Sequence, residues 1–267
     1  MSTACTPIAN PPAKRLLKRE ARAEKLYLYA IVAADQDRVY EACGIDQHPL
    51  YSISSGHVAA VVSAVWADKL RPERARLAAH HAVLKRLMAE STPLPVSFGV
   101  VADSPAAVRR MLARNQQVLL DQLRHVADKV EMGLRVTWDV PNIFEYFVNT
   151  HAELRMARDR FLGSNCEATQ EQKIEIGRMF DQMLKEDREN YADLAAATFA
   201  SHGCEIKRLK CRNEREVMNL ACLVGREAMP QFEADVFEVA KQFDNNFALD
   251  YNGPWAPHNF ANVDLEL

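Results

Sequence analysis

The adjacent pair His80-His81 has the most obvious capacity for chemistry in this chain. Imidazole is a metal ligand, a general base and the side chain that titrates closest to physiological pH. Spacing limits what this pair can do, because neighbouring residues on a helix point about 100° apart and do not converge on one ion. Leu77, His81, Leu84 and Met88 recur at helical spacing, so one of the two histidines must face an apolar stripe. We expect a structural histidine there, satisfied by a backbone or carboxylate partner. His57, His125, His151 and His202 stand alone, with neither triad nor metal-ligand spacing.

The remaining reactive residue types are no better organised. Glu186-Asp-Arg-Glu189 interleaves charges of both signs, the pattern of a solvated helix face with i,i+4 pairs rather than of an acid–base dyad. Cys5, Cys43, Cys166, Cys204, Cys211 and Cys222 include no C-x-x-C pair, and we expect reduced thiols that serve mostly as small core residues. With only 9 glycines, the chain contains no G-x-x-x-x-G-K-[ST], G-x-G-x-x-G or G-x-S-x-G motif. These observations lead us to expect no catalytic, cofactor-binding or metal-ligating residues, and hence a protein that is not an enzyme.

The 267 residues are 48% hydrophobic and 26% charged, ordinary values for a globular chain, and the net charge is −3. No apolar run reaches the roughly 18 residues that span a bilayer, and the N-terminus lacks the apolar core of a secretory signal, so we expect a cytoplasmic protein without a membrane partner. Residues 1–24 are polar, Pro-containing and locally basic through Lys14, Arg15, Lys18, Arg19 and Arg22, which suggests a flexible, solvated leader. The overall negative charge argues against nucleic acid as a partner.

Structured elements are expected from Lys25 onward. Leu26-Tyr-Leu-Tyr-Ala-Ile-Val32 suits a strand buried on both faces, and Tyr51–Ser54 and His57–Val65 flank Ser55-Gly56 as a hairpin. Pro72 opens a helix that ends before Pro93, and Pro93–Gly99 must be extended near a sheet edge. Ser104-Pro105 caps a second helix with Val108, Met111, Leu112, Asn115, Leu119, Leu123 and Val126 on one face. Glu131–Asp139 alternates as a strand, with Met132, Leu134, Val136 and Trp138 on one side.

A long helical region from about Asn142 to Ala200, interrupted near Gly163-Ser-Asn165, reads as a helical hairpin. Cys204–Cys211 and Glu216–Val224 follow as strands, lacking the paired aromatics that stack RNA bases. A helix with Phe232, Val236, Val239 and Phe243 then leads to a last strand, Phe247–Tyr251. This order is that of a split βαβ unit. The fold expectation is α+β: a leader over 1–24, an N-terminal α+β domain over 25–130, a ferredoxin-like domain over 131–251 with an inserted or extended helical hairpin, and a docked Pro/aromatic tail over 252–267.

The tail carries a further signal. Gly253-Pro-Trp-Ala-Pro-His-Asn-Phe260 resembles the Gly-Pro-Trp-Pro-Pro-Tyr-x-Phe signature that ends members of the gas vesicle protein F/L family. Three other stretches agree in order and spacing: Leu26–Val32, His81 with Val83-Leu84 leading to Leu94-Pro-Val-Ser-Phe-Gly99, and Lys129–Val136. The departures are Ala256 for a usual proline, His258 for a usual tyrosine and Val100 where threonine commonly follows Phe-Gly.

The resemblance implies a non-enzymatic accessory protein of gas vesicle assembly, with two α+β domains and a tail packed back on the body. Its implied partners are the major shell protein, a small and very hydrophobic subunit, and other gas vesicle accessory proteins. Binding that subunit would prevent its aggregation and assist nucleation; the alternative is a minor structural component retained in the vesicle wall. We expect the partner-binding surface at the domain junction, near Phe98, Trp138, Trp255 and Phe260, because large aromatics dominate such contacts.

Overall fold

Aromatic and β-branched residues dominate Lys25–Ala33, and this stretch forms strand β1, whose residues Leu26–Ile31 are at most 1% exposed. It runs through the interior of the first of two sheets in a computed structural model that describes residues 24–162 and 169–262. The basic leader and the break near Gly163 lie outside the described residues. By contacts the described chain divides into two compact units, one formed by 24–130 with 255–262 and the other by Glu131–Pro254. No helix among the described residues is long and apolar enough to cross a membrane.

In the first unit β2 (Val39–Cys43), β3 (Pro49–Ser55), β4 (Val58–Val65), β1 and β5 (Leu94–Pro95) lie in the order β2-β3-β4-β1-β5, and β6 (Val101–Ala102) also pairs with β1. The β3–β4 link is Gly56-His57, one residue later than the sequence suggests, with Gly56 at φ +63, where a side chain would be strained. Helix α1 (Arg74–Met88) buries His80, Val83, Leu84, Leu87 and Met88. Leu84 and Met88 are buried as expected and Leu77 is half-buried, but His81 is exposed and His80 takes the inward place. Helix α2 (Pro105–Val126) follows the expected face, and Ser104 caps it by accepting the Ala107 N–H at 3.2 Å.

A buried hydrogen-bond knot ties β1 to a tight turn. The Tyr29 hydroxyl, fully buried, contacts Ser63 Oγ at 2.8 Å and accepts the Ile45 N–H at 2.7 Å. Ile45 opens a 3₁₀ turn, Ile45–Gln47, in which Asp46 and Gln47 hold positive φ without being glycine. Tyr29→Phe leaves that amide and Ser63 without their partner, and its expected cost is about 1–3 kcal/mol, read as a lower denaturant midpoint. A loss well under 1 kcal/mol would mean that water or a neighbour replaces the phenol.

In the second unit β7 (Lys129–Trp138), β8 (Glu205–Arg208), β9 (Glu216–Gly225) and β10 (Phe247–Trp255) form a sheet of order β10-β7-β9-β8. Between β7 and β8 run α3 (Ile143–Thr150), α4 (Ala152–Leu162) and α5 (Gln170–Ala200); α6 (Met229–Ala240) precedes β10. The first helical stretch divides at His151, whose backbone is extended. Thr169 and Gln172 close a capping box that fixes the start of α5. Strand β10 extends to Trp255, four residues past its expected end, so part of the expected tail is strand.

Cys204, Cys211 and Cys222 are free thiols, as expected. Cys43 is disulfide-bonded, which corrects the expectation for that residue. Sequence spacing cannot report a pairing made through the fold.

Candidate functional site

The sequence singled out His80-His81 and four aromatics, and the first unit gathers most of them around one cluster. Tyr27 and Tyr29 are two apart on β1 and share a face, with ring centroids 4.8 Å apart. His80 reaches them from α1: its ring stacks on Tyr29 at 5.6 Å and its Nδ1 lies 2.9 Å from the Tyr27 hydroxyl. That hydroxyl accepts the Gly99 N–H at 3.2 Å, which leaves the phenol proton to be donated to Nδ1. The partner of this structural histidine is therefore a phenol rather than the expected backbone or carboxylate group. The neutral imidazole then carries its proton on Nε2, which makes no well-formed hydrogen bond among the described residues and has only a weak interaction with the Val96 backbone.

The electrostatics follow from burial. His80 is 2% exposed, and burial, reinforced by the nearby His81 and His258 imidazoles, lowers its pKa to about 4 against a weak opposing interaction with the Val96 backbone. Burial also raises the pKa of Tyr27. His258 is lowered by its surroundings and by His81, although part of its ring remains exposed. A general acid or base works best with a pKa near the operating pH and within reach of its substrate. Tyr27 and His80 are displaced from neutrality in opposite directions and are sealed from solvent, an arrangement suited to holding rings in place rather than to moving protons.

Phe98 and Trp255 flank this cluster. Half-buried Phe98 lies 5.8 Å from the Tyr27 ring and 5.9 Å from His80, centroid to centroid. Trp255 is 47% exposed and 6.5 Å from His81. The tail beyond it is anchored: Ala256 and Phe260 are 3% and 6% exposed, and the Gln122 side chain clamps the Asn262 backbone through bonds of 2.6 and 2.8 Å.

Trp138 belongs to the other unit, at 1% exposure, with its ring 5.3 Å from Phe147 and 6.3 Å from Phe247. Its area is spent on that unit's own core, and Phe260 is likewise an internal anchor. Of the four expected contact residues, Trp255 offers the most accessible ring and Phe98 a partial one.

Three of the four isolated histidines find single carboxylates. His57 pairs with Asp35 at 2.7 Å, His151 with Asp187 at 3.5 Å and His202 with Asp235 at 2.8 Å. No group of three or more His, Cys, Asp or Glu among the described residues is placed to hold a metal ion. The run at 186–189 is only partly the expected solvated face. Arg188 turns inward, donating to the carbonyls of Asn213, Glu214 and Glu216 and lying 6.0 Å from the Trp138 ring. No helical charge pattern reveals such a carbonyl cap, because its acceptors lie at least 25 residues away.

Comparison with known proteins agrees with the terminal signature. The family model for gas vesicle synthesis protein GvpL/GvpF matches residues 25–262. Gas vesicle protein F of Dolichospermum flosaquae is 24% identical over 90% of this chain and 98% of its own length. Gas vesicle protein L of a Streptomyces species is 27% identical over 90% and 94%. The crystal structures of gas vesicle protein GvpF from Microcystis aeruginosa and Anabaena sp. PCC7120 superpose with TM-scores of 0.75 and 0.77, at 22% and 23% identity, over 90% of this chain and 99% of theirs. Because the family model spans nearly all of the described chain, this protein belongs to the GvpL/GvpF family of gas vesicle synthesis proteins.

Proposed function

We propose that this chain is a cytoplasmic accessory protein of gas vesicle assembly that engages the hydrophobic major shell subunit, limits its aggregation and assists nucleation. The observation that carries this reading is Trp255: a half-exposed indole in the family's terminal signature, with buried Ala256 and Phe260 just behind it. Holding a large apolar ring at the surface costs favourable burial, and anchored aromatics of this kind form the centres of protein interfaces. Exposed His81, 6.5 Å away, extends the aromatic area beside Trp255.

A subunit that polymerises through apolar surfaces needs those surfaces covered until it reaches the growing wall. Other gas vesicle accessory proteins are the second class of partner. The strand order β10-β7-β9-β8, with helices after the first strand and before the last, supports reading the second unit as ferredoxin-like. Shape alone assigns it no activity.

Co-expression is the direct test: the soluble fraction of shell subunit should rise with this protein and fall back with Trp255→Ala. In a pull-down we expect Trp255→Ala to weaken capture by roughly thirtyfold, the equivalent of about 2 kcal/mol for an interfacial anchor, with little change in melting temperature. Unchanged capture would overturn the assignment of Trp255, and an unchanged soluble fraction the escort role. A stoichiometric antibody signal that survives stripping of purified vesicles would instead favour a retained wall component.

A further inference from the structure

A pair of thiols in the second unit takes no part in the reading above. Cys204 follows the C-terminal turn of α5, where its N–H donates to the Phe199 carbonyl at 3.4 Å and Gly203 takes φ +73. It is thus held by the helix end rather than by the strand ladder, which begins one residue later with Glu205 opposite Leu223. Ile206 lies opposite Cys222, and Cys204, two residues before Ile206, lies beside the same stretch of β9. The Cys204 sulfur reaches across to 3.7 Å from the Leu223 carbonyl and shares a hydrogen bond with the Cys222 thiol. Cys222 is fully buried, whereas Cys204 is half-buried at the edge.

We propose that Cys204 and Cys222 form a peroxide-sensitive modification site, in which Cys204 is oxidised first and Cys222 closes a disulfide onto it. The two thiols are electrostatically unequal. The Cys222 hydrogen bond lowers the pKa of Cys204 against burial and the neighbouring Asp235 and Glu205, while the same bond and burial raise that of Cys222. Asp235, one of the groups opposing the thiolate, is paired with His202 at 2.8 Å. Cys204, half-buried at the sheet edge, is the sulfur that peroxide can reach, and the buried Cys222 sulfur beside it is placed to attack the resulting sulfenic acid.

In the first step the Cys204 thiolate attacks hydrogen peroxide. An S–O bond forms, the O–O bond breaks, and the departing hydroxide takes a proton to leave as water. In the second step the Cys222 sulfur attacks the Cys204 sulfenic acid. The S–S bond forms, the S–O bond breaks, and the Cys222 proton leaves with the hydroxyl as a second water. Two thiols and one peroxide become one disulfide and two waters, with both sulfurs oxidised and the peroxide reduced.

The test uses the full chain, treated with equimolar hydrogen peroxide at mildly alkaline pH and digested without reduction for mass spectrometry. We expect a dithiothreitol-reversible species joining the Cys204 and Cys222 peptides, lighter by two hydrogens, with Cys211 left as a thiol. Burial raises the pKa of Cys211, whose sulfur donates to the Val217 carbonyl, so it serves as an internal control.

Cys204→Ser should abolish the link and leave Cys222 unmodified, and Cys222→Ala should leave a Cys204 sulfenic acid that dimedone captures. In the unsubstituted protein iodoacetamide should label Cys204 about tenfold faster than Cys211, a measurement independent of how the variants fold. Oxidation that reaches Cys211 first, or wild-type protein that takes up oxygen at Cys204 without forming the link, overturns the proposal.

Discussion

Replacing Phe147 by alanine is expected to lower the stability of the second unit by about 3–5 kcal/mol, the range for deleting a fully buried aromatic side chain. Phe147 has no exposed surface and sits at the centre of a ring cluster. Trp138 is 5.3 Å away edge-on, Phe180 5.2 Å edge-on, and His151 stacks on it in parallel at 4.9 Å. Alanine removes the burial of the ring, leaves a cavity among large side chains that cannot collapse easily, and strips its aromatic contacts, Tyr146 at 5.8 Å included.

The effect is readable in isolation, because of the protein's 3 tryptophans only Trp138 lies in the second unit, whereas Trp66 and Trp255 lie in the first. In a chain carrying only Trp138, the urea midpoint of its fluorescence should fall by an amount set by the lost 3–5 kcal/mol over a slope of roughly 1–3 kcal/mol per molar. Phe147→Leu, which keeps much of the volume, should cost considerably less. A loss below about 1.5 kcal/mol for Phe147→Ala would mean that α3 relaxes into the gap and that the ring cluster is not the core of this unit.

That core was only partly legible in the sequence. Strong periodic patterns carried through: β1 as an all-apolar strand, α2 with its Ser104-Pro105 start and its buried Val108, Met111, Leu112, Leu119 and Leu123, and β7 by clean alternation. Strand β2 has only five residues and one buried side chain, so its pattern was too weak to register. Glu131 was expected on the polar face of β7 but is 7% exposed, a burial that alternation cannot anticipate.

The candidate site shows the same division. Adjacent histidines are indistinguishable by hydropathy, and a tertiary partner, the Tyr27 hydroxyl 53 residues away, draws His80 rather than His81 inward. Trp138 and Trp255 are chemically equal as sequence letters. One is enclosed by Phe147 and Phe247, and the other ends β10 half in solvent. Aromatic content pointed to both, but burial separates a core residue from an exposed one.

The second large effect is acid sensitivity of the first unit, carried by His80. In the unfolded chain this histidine titrates near pH 6.5, whereas in the fold its pKa is lowered to about 4. At pH 7 and above both states are neutral there and the residue adds no pH dependence. As pH falls below about 6.5 the unfolded chain takes up a proton that the folded chain refuses, so stability declines; the decline is complete once pH passes the folded value, about 4. A shift of this size corresponds to roughly 3 kcal/mol.

The groups facing His80 set the sign. Buried Tyr27 and Tyr29 and half-buried Phe98 exclude water, and the imidazoles of His81 from its own helix and His258 from the tail disfavour a charge on His80. His258 acts in the same direction, but its exposed edge lets solvent screen it. Carboxylates with lowered values, Asp37 and Glu90 in this unit, also lose stabilisation in acid, so the slope of one protein cannot isolate the histidine.

Comparison with His80→Phe does isolate it. The variant gives up the Tyr27 hydrogen bond and is less stable at pH 7.5, but its urea midpoint should fall less between pH 7 and 4.5 than that of the unsubstituted protein. Parallel pH profiles for the two proteins would show that His80 is protonated in the fold after all, and that its Nε2 is reached by water.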